Sequence, residues 1–170
     1  SVAHALRLPH VEEKLLDSIE KQKLARATGE SKTLPMKYGD AYEELLVAEL
    51  KANCPEGSVA APEAADDPEQ TLNLLAQRVP VIYQGGLKQS EGNTVFSGRP
   101  DLLVRNDWQL EFTESGLSAH QLSGVEFEGY TAWDVKYSSH AKAEYALQVA
   151  IYAEALDQVG MKAPNAKHGL

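Results

Sequence analysis

Over residues 11–24, Val11, Leu15, Leu16, Ile19 and Leu24 recur at helical spacing among Glu and Lys, which predicts an amphipathic opening helix. Residues 27–37 carry Gly29, Ser31, Thr33 and Pro35 and read as a loop. Gly39 and Asp40 then introduce a second helix through about Ala52, with Leu45, Leu46, Val47 and Leu50 among Glu43, Glu44 and Glu49. Across residues 54–67 the periodicity gives way to Pro, Ala, Gly and acids, the composition of an exposed insertion. Asp67-Pro68 supplies a cap and a first-turn proline for a short helix through Gln77. After that the pattern is β-like. Val79-Pro80-Val81-Ile82-Tyr83 opens the section, with Pro80 marking a strand start or an edge. Residues 93–96, 101–105 and 129–137 follow as strands, the first two readable as one strand bent at Gly98 and Pro100. The stretch 108–127 has room for a hairpin. Over residues 141–159, Tyr145, Leu147, Val149, Ile151 and Leu156 among alanines predict a final helix, stopped by Gly160.

Helix, insertion, strands and helix in that order fit an α/β or α+β sandwich better than a bundle or a barrel. With 170 residues and 43% hydrophobic content, one domain over residues 1–170 is expected. Residues 166–170 resemble a turn leading into another strand, which points to a fragment of a longer chain. Cys54 is the single cysteine, so neither an internal disulfide nor a four-cysteine metal site can form. A cytoplasmic protein is the expectation. No apolar run approaches the ~20 residues that span a bilayer, so no membrane partner is expected. The net charge of −9 argues against nucleic acid as a partner. That argument weakens because Glu63, Asp66, Asp67 and Glu69 fall in solvated stretches and other acids can be neutralised by bound divalent cations.

Asp134-Val135-Lys136 on a strand places a carboxylate and an ammonium side by side, with Trp133 and Val135 on the opposite face. Such a carboxylate ligates Mg²⁺ or Mn²⁺, and the ammonium can orient a water or meet charge developing on a phosphate. The plain alternative is a solvated ion pair on an exposed strand. Asp101 follows Gly98-Arg99-Pro100 and leads into Leu102-Leu103-Val104, where an acid is otherwise a turn former. Glu144, Gln148 and Tyr152 are spaced i, i+4 and i+8 on the last helix. Gln148 and Tyr152 therefore share one helical face, opposite part of a Leu147, Ile151 and Ala155 stripe.

Pro100-Asp101, Asp134-x-Lys136 and Gln148-x-x-x-Tyr152, preceded by helical Gly39-Asp40-Ala41-Tyr42-Glu43, resemble the motif series of RecB-type nucleases in the PD-(D/E)XK superfamily. Glu43 stands where many of those proteins carry His. Glu44 is its neighbour but would point about 100° away around the helix. The likeness runs over residues 37–156. It implies a restriction-endonuclease-like core: a mixed sheet flanked by helices. It implies a Mg²⁺- or Mn²⁺-dependent DNA nuclease with Glu43, Asp101, Asp134 and the Val135 carbonyl as ligands, and with Lys136 positioning the attacking water. Gln148 and Tyr152 would brace the site or contact the DNA backbone. The same resemblance implies DNA repair or recombination as the setting, with a helicase region in the same chain or complex.

Two other readings remain: a catalytically inactive nuclease-fold module that binds DNA or a partner protein, and a carboxylate-pair glycosidase, which leaves Lys136 without a role. The five histidines show no metal-ligand spacing, although His140 is close to Lys136. Cys54 has no nucleophile context. Lys136, Lys142, Arg99 and Arg105 form a candidate phosphate-facing patch, with solvated charges as the alternative.

Overall fold

The computed structural model describes residues 34–64, 67–135 and 143–164. The helix expected over residues 11–24, the turn at 166–170, and Lys136, His140 and Lys142 lie outside the described residues. The elements, in order, are α1 (Leu34–Asn53), β1 (Val59–Ala60), α2 (Pro68–Ala76), β2 (Val81–Tyr83), β3 (Leu87–Glu91), β4 (Thr94–Gly98), β5 (Leu102–Arg105), β6 (Trp108–Thr113), β7 (Gly116–Gln121), β8 (Tyr130–Trp133) and α3 (Ala143–Gln158). α1 begins five residues before Gly39, so residues 34–37 are helix and not loop. Pro35 lies in the first turn, where its missing N–H would have had no helical partner. α2 starts as its sequence predicts. The Asp67 carboxylate accepts from the amides of Glu69 at 2.9 Å and Gln70 at 3.4 Å.

Four strands form a mixed sheet in the order β1-β2-β5-β8, with β1 parallel to β2 and the other pairs antiparallel. β1 comes from the stretch expected to be a wholly exposed insertion. Val59 pairs with Val81 and Ala60 with Ile82, while Pro55, Glu56, Gly57, Glu63 and Ala64 remain exposed. The uninterrupted apolar run of β5 is explained by cover on both faces. Val81, Leu102 and Val104 join Tyr42, Leu46 and Leu50 of α1 and Leu117 of β7 in one core. Ile82, Leu103, Tyr130 and Ala132 join Leu75 of α2 and Tyr152, Ala155 and Leu156 of α3 in the other. Leu50, Leu103 and Leu156 are fully buried, each contributing about 1.5–3 kcal/mol relative to exposure. On α3 the buried face holds Val149, Tyr152 and Leu156, whereas Leu147 is 64% exposed, so the apolar stripe is turned from its expected position.

Two hairpins stand apart from this sheet, β3–β4 and β6–β7. The second occupies the stretch where a hairpin was expected. The first was legible only in its β4 half, and β4 and β5 are not one bent strand: β4 pairs with β3, and Gly98-Arg99-Pro100 carries the chain across to β5. The β6–β7 turn is moored to α1. The Glu49 carboxylate, 6% exposed, accepts the Leu117 amide at 2.9 Å, and the Asn53 amide group donates to the carbonyls of Ser115 and Leu117, both at 3.1 Å. Among the described residues no helix is long and apolar enough to cross a membrane.

Candidate active site

Register places the acids. Leu102 pairs with Trp133 across the antiparallel β5–β8 ladder, so one step further Asp101 faces Asp134 at the same end of the sheet. β8 ends at Trp133, shorter than the predicted 129–137, and Asp134 sits just beyond it. Alternation still holds there. Trp133 and Val135 pack against the α1-side core, and Asp134 is buried at 2% exposure. The Val135 amide donates to Asp101 Oδ2 and closes the corner between the two strand ends.

Glu43 reaches this corner from α1. Ala41, Tyr42, Leu46 and Leu50 turn into the core and leave Glu43 half-buried at its edge, while Glu44 is exposed on the next face. A glutamine that the motifs did not identify as a site residue joins the elements together. Gln84 Nε2 donates to Glu43 Oε2 at 3.2 Å, and the Gln84 amide donates to the Asp101 carbonyl at 2.9 Å. Its φ of 53° lies in the left-handed region, a strained setting for a residue other than glycine and one found disproportionately at functional sites. The available signal was its place immediately before Gly85-Gly86, a turn at the end of a strand.

Asp101 is within hydrogen-bonding contact of both Glu43 and Asp134. Its pKa is pushed up to about 9, first by burial and then by the neighbouring carboxylates of Glu43 and Asp134. At neutral pH the metal-free cluster therefore keeps a proton on Asp101. Among the described residues no three His, Cys, Asp and Glu side chains form a ready-made metal cage. The acids instead lie near enough for Glu43 and Asp134 to raise the pKa of Asp101. The donor set is nonetheless that of a hard cation: three carboxylates from three elements, with no nitrogen or sulfur among them.

The α3 residues act on the opposite side of the same loop. Gln148 Nε2 donates to the Tyr152 hydroxyl at 2.7 Å, and that hydroxyl donates to the Arg99 carbonyl at 3.3 Å. Tyr152 is only 3% exposed. Its ring passes so close to Gly98 that a Cβ there would lie 2.4 Å from a ring carbon. The pair thus holds Gly98-Arg99-Pro100 in the path that delivers Asp101. No protein-family model, curated protein or solved structure matches the chain. The chemistry of the site stands on its own residues.

Two open grooves meet at Arg99, two residues before Asp101. One, of about 500 Å³, is lined by Glu43, Glu44, Val47, Lys51, Tyr83, Gln84 and Arg99, among others. The second, of about 240 Å³, lies between Pro68 and the β3–β4 hairpin and is also lined by Arg99. Arg105 belongs to neither. Its guanidinium is paired with Asp107 at 2.6 Å, at the end of β5 away from Asp101, which removes it from the expected phosphate-facing patch.

Proposed function

We propose that the chain is a Mg²⁺- or Mn²⁺-dependent nuclease domain of the restriction-endonuclease-like type that hydrolyses phosphodiester bonds in DNA. The observation that carries this reading is the meeting of Glu43, Asp101 and Asp134, separated by up to 91 residues in sequence, at a single sheet end, where Gln84 bonds both Glu43 and the Asp101 backbone. Glu43, Asp101, Asp134 and the Val135 carbonyl would hold the cation. When bound, such an ion supplies Lewis-acid charge that lowers the pKa of water and stabilises a leaving oxygen.

The chain's own groups do the rest. Asp101 would release its proton to solvent, leaving three carboxylates able to hold the cation. Gln84 holds the Glu43 carboxylate, and the Val135 amide orients Asp101. Lys136, two residues past Asp134 in sequence, is assigned to the attacking water. Gln148 and Tyr152 position Asp101 through the Arg99 carbonyl. Repair or recombination, with a helicase region in the same chain or complex, is the setting this reading suggests.

Supercoiled plasmid and end-labelled single-stranded DNA, incubated with Mn²⁺ or Mg²⁺, test the assignment. The wild type is expected to cut, and Asp134→Ala and Lys136→Ala to lose roughly a hundredfold or more in rate. DNA binding without metal-dependent cleavage would make the chain a non-catalytic module instead.

A further inference from the structure

Glu43, Val47 and Lys51 follow one another at four-residue intervals on α1, so they share a helical face, and all three line the larger groove. At 1.5 Å per residue, Lys51 stands about 12 Å from Glu43 along the helix axis. A lysine in a last turn ordinarily serves the helix carbonyls. This one crosses to Tyr83. Its ammonium lies 4.8 Å from the ring centroid and donates to the hydroxyl at 2.8 Å. Among the described residues Lys51 has no carboxylate within salt-bridge distance. Its charge is therefore oriented but not neutralised, and it keeps N–H groups free for a ligand. The smaller groove carries exposed Lys88, and exposed Arg99 lines both. Three cations thus line two grooves that share Arg99, in a protein whose net charge is −9.

We infer that the two grooves form one track for a polynucleotide backbone, running from Lys51 past Glu43 and Arg99 to Lys88. The inference rests on the nuclease reading and adds how the strand is gripped: through its phosphates, without reading the bases. Lys51 engages Tyr83 at its hydroxyl end, so the tyrosine steadies the cation. With about 3.4 Å of rise per nucleotide along a strand, Lys51 meets a phosphate three to four nucleotides from the cut.

The test is steady-state cleavage of DNA oligonucleotides by the full chain with Mn²⁺ across a series of salt concentrations, comparing Lys51→Gln, Lys88→Gln and the control Lys162→Gln. Lys162 bridges to Tyr130, at the end of β8 opposite Asp134. Lys51→Gln and Lys88→Gln are each expected to raise KM about 3–10-fold at physiological salt and to flatten log KM against log salt by about 0.7–0.9. Lys162→Gln changes neither quantity. The Lys51→Gln effect disappears on substrates too short to extend three nucleotides beyond the cut. If the wild type cleaves but the two groove variants match Lys162→Gln, the track is wrong and the nuclease reading survives. A base-sequence preference exceeding tenfold also overturns the track. If the wild type neither binds nor cuts DNA with Mn²⁺, both fall.

Discussion

Asp101 couples the site to pH in two opposite ways. An unperturbed carboxyl titrates near 3.8, and this one near 9, so between those values the folded chain holds a proton that the unfolded chain has released. Stability of the metal-free protein from this group is therefore greatest at acid pH and falls as pH rises toward 9. Asp101→Asn removes that slope, and its thermal midpoint at pH 8 should exceed the wild type's, by about 2–4 °C for each kcal/mol recovered. Cation uptake at the proposed site would run the other way, because the proton must leave first. Apparent Mn²⁺ affinity should rise up to about tenfold per pH unit below pH 9, with matching proton release in calorimetry across buffers of different ionisation enthalpy. A flat affinity from pH 6 to 8 would argue against Asp101 as a ligand. At this scale the sequence was informative where chemistry repeats at fixed spacing: Asp101, Asp134 and the choice of Glu43 over Glu44. Gln84 and Lys51 were not legible as site residues, since what brings them there is a left-handed turn and a crossing to Tyr83, neither of which is encoded by neighbours in the chain.

α3 and the β4–β5 crossover act as a pair. Tyr152→Phe keeps the ring against Gly98 and deletes the hydroxyl that links Gln148 to the Arg99 carbonyl. Cleavage is expected to fall about 10–100-fold with the fold intact, as for other residues that orient a ligand from behind. Gly98→Ala is the harsher change. Its methyl group collides with a ring that is packed in the α3-side core, which costs about 1–3 kcal/mol and shifts the loop carrying Asp101. Circular dichroism melts beside initial rates separate the two: rate loss without a lower midpoint for the first, both losses for the second. The helices were readable from their apolar spacing, and α2 from its Asp-Pro cap. The shortest strands were less so. β1 has two residues and β3 reads Leu-Lys-Gln-Ser-Glu, so each owes its strand state to a partner, Val81-Ile82 for one and β4 for the other.

For the whole molecule, the mixed sheet covered by helices followed from the order of its elements, whereas the parallel edge strand and the β3–β4 arm, which packs on α3 through Leu87 and a Ser90–Gln158 pair, depended on long-range contacts. In the proposed reading, clustered carboxylates in a protein of net charge −9 would make cation binding a source of global stability. At a hundred times its dissociation constant, Mn²⁺ should add about 2.7 kcal/mol, or roughly 5–10 °C in thermal midpoint. Asp134→Ala should lose most of that gain and EDTA should abolish it; a shift of equal size in Asp134→Ala would place the ion elsewhere. The arm between Gln84 and Asp101 has a separate consequence. It departs and returns at residues joined by a backbone hydrogen bond, and its tip, Gly92 to Val95, faces solvent. The sheet beneath is already closed where the excursion starts, so the tip is an interchangeable part. Loops of other lengths grafted there can vary what the domain touches while the scaffold that aims its acids stays as it is.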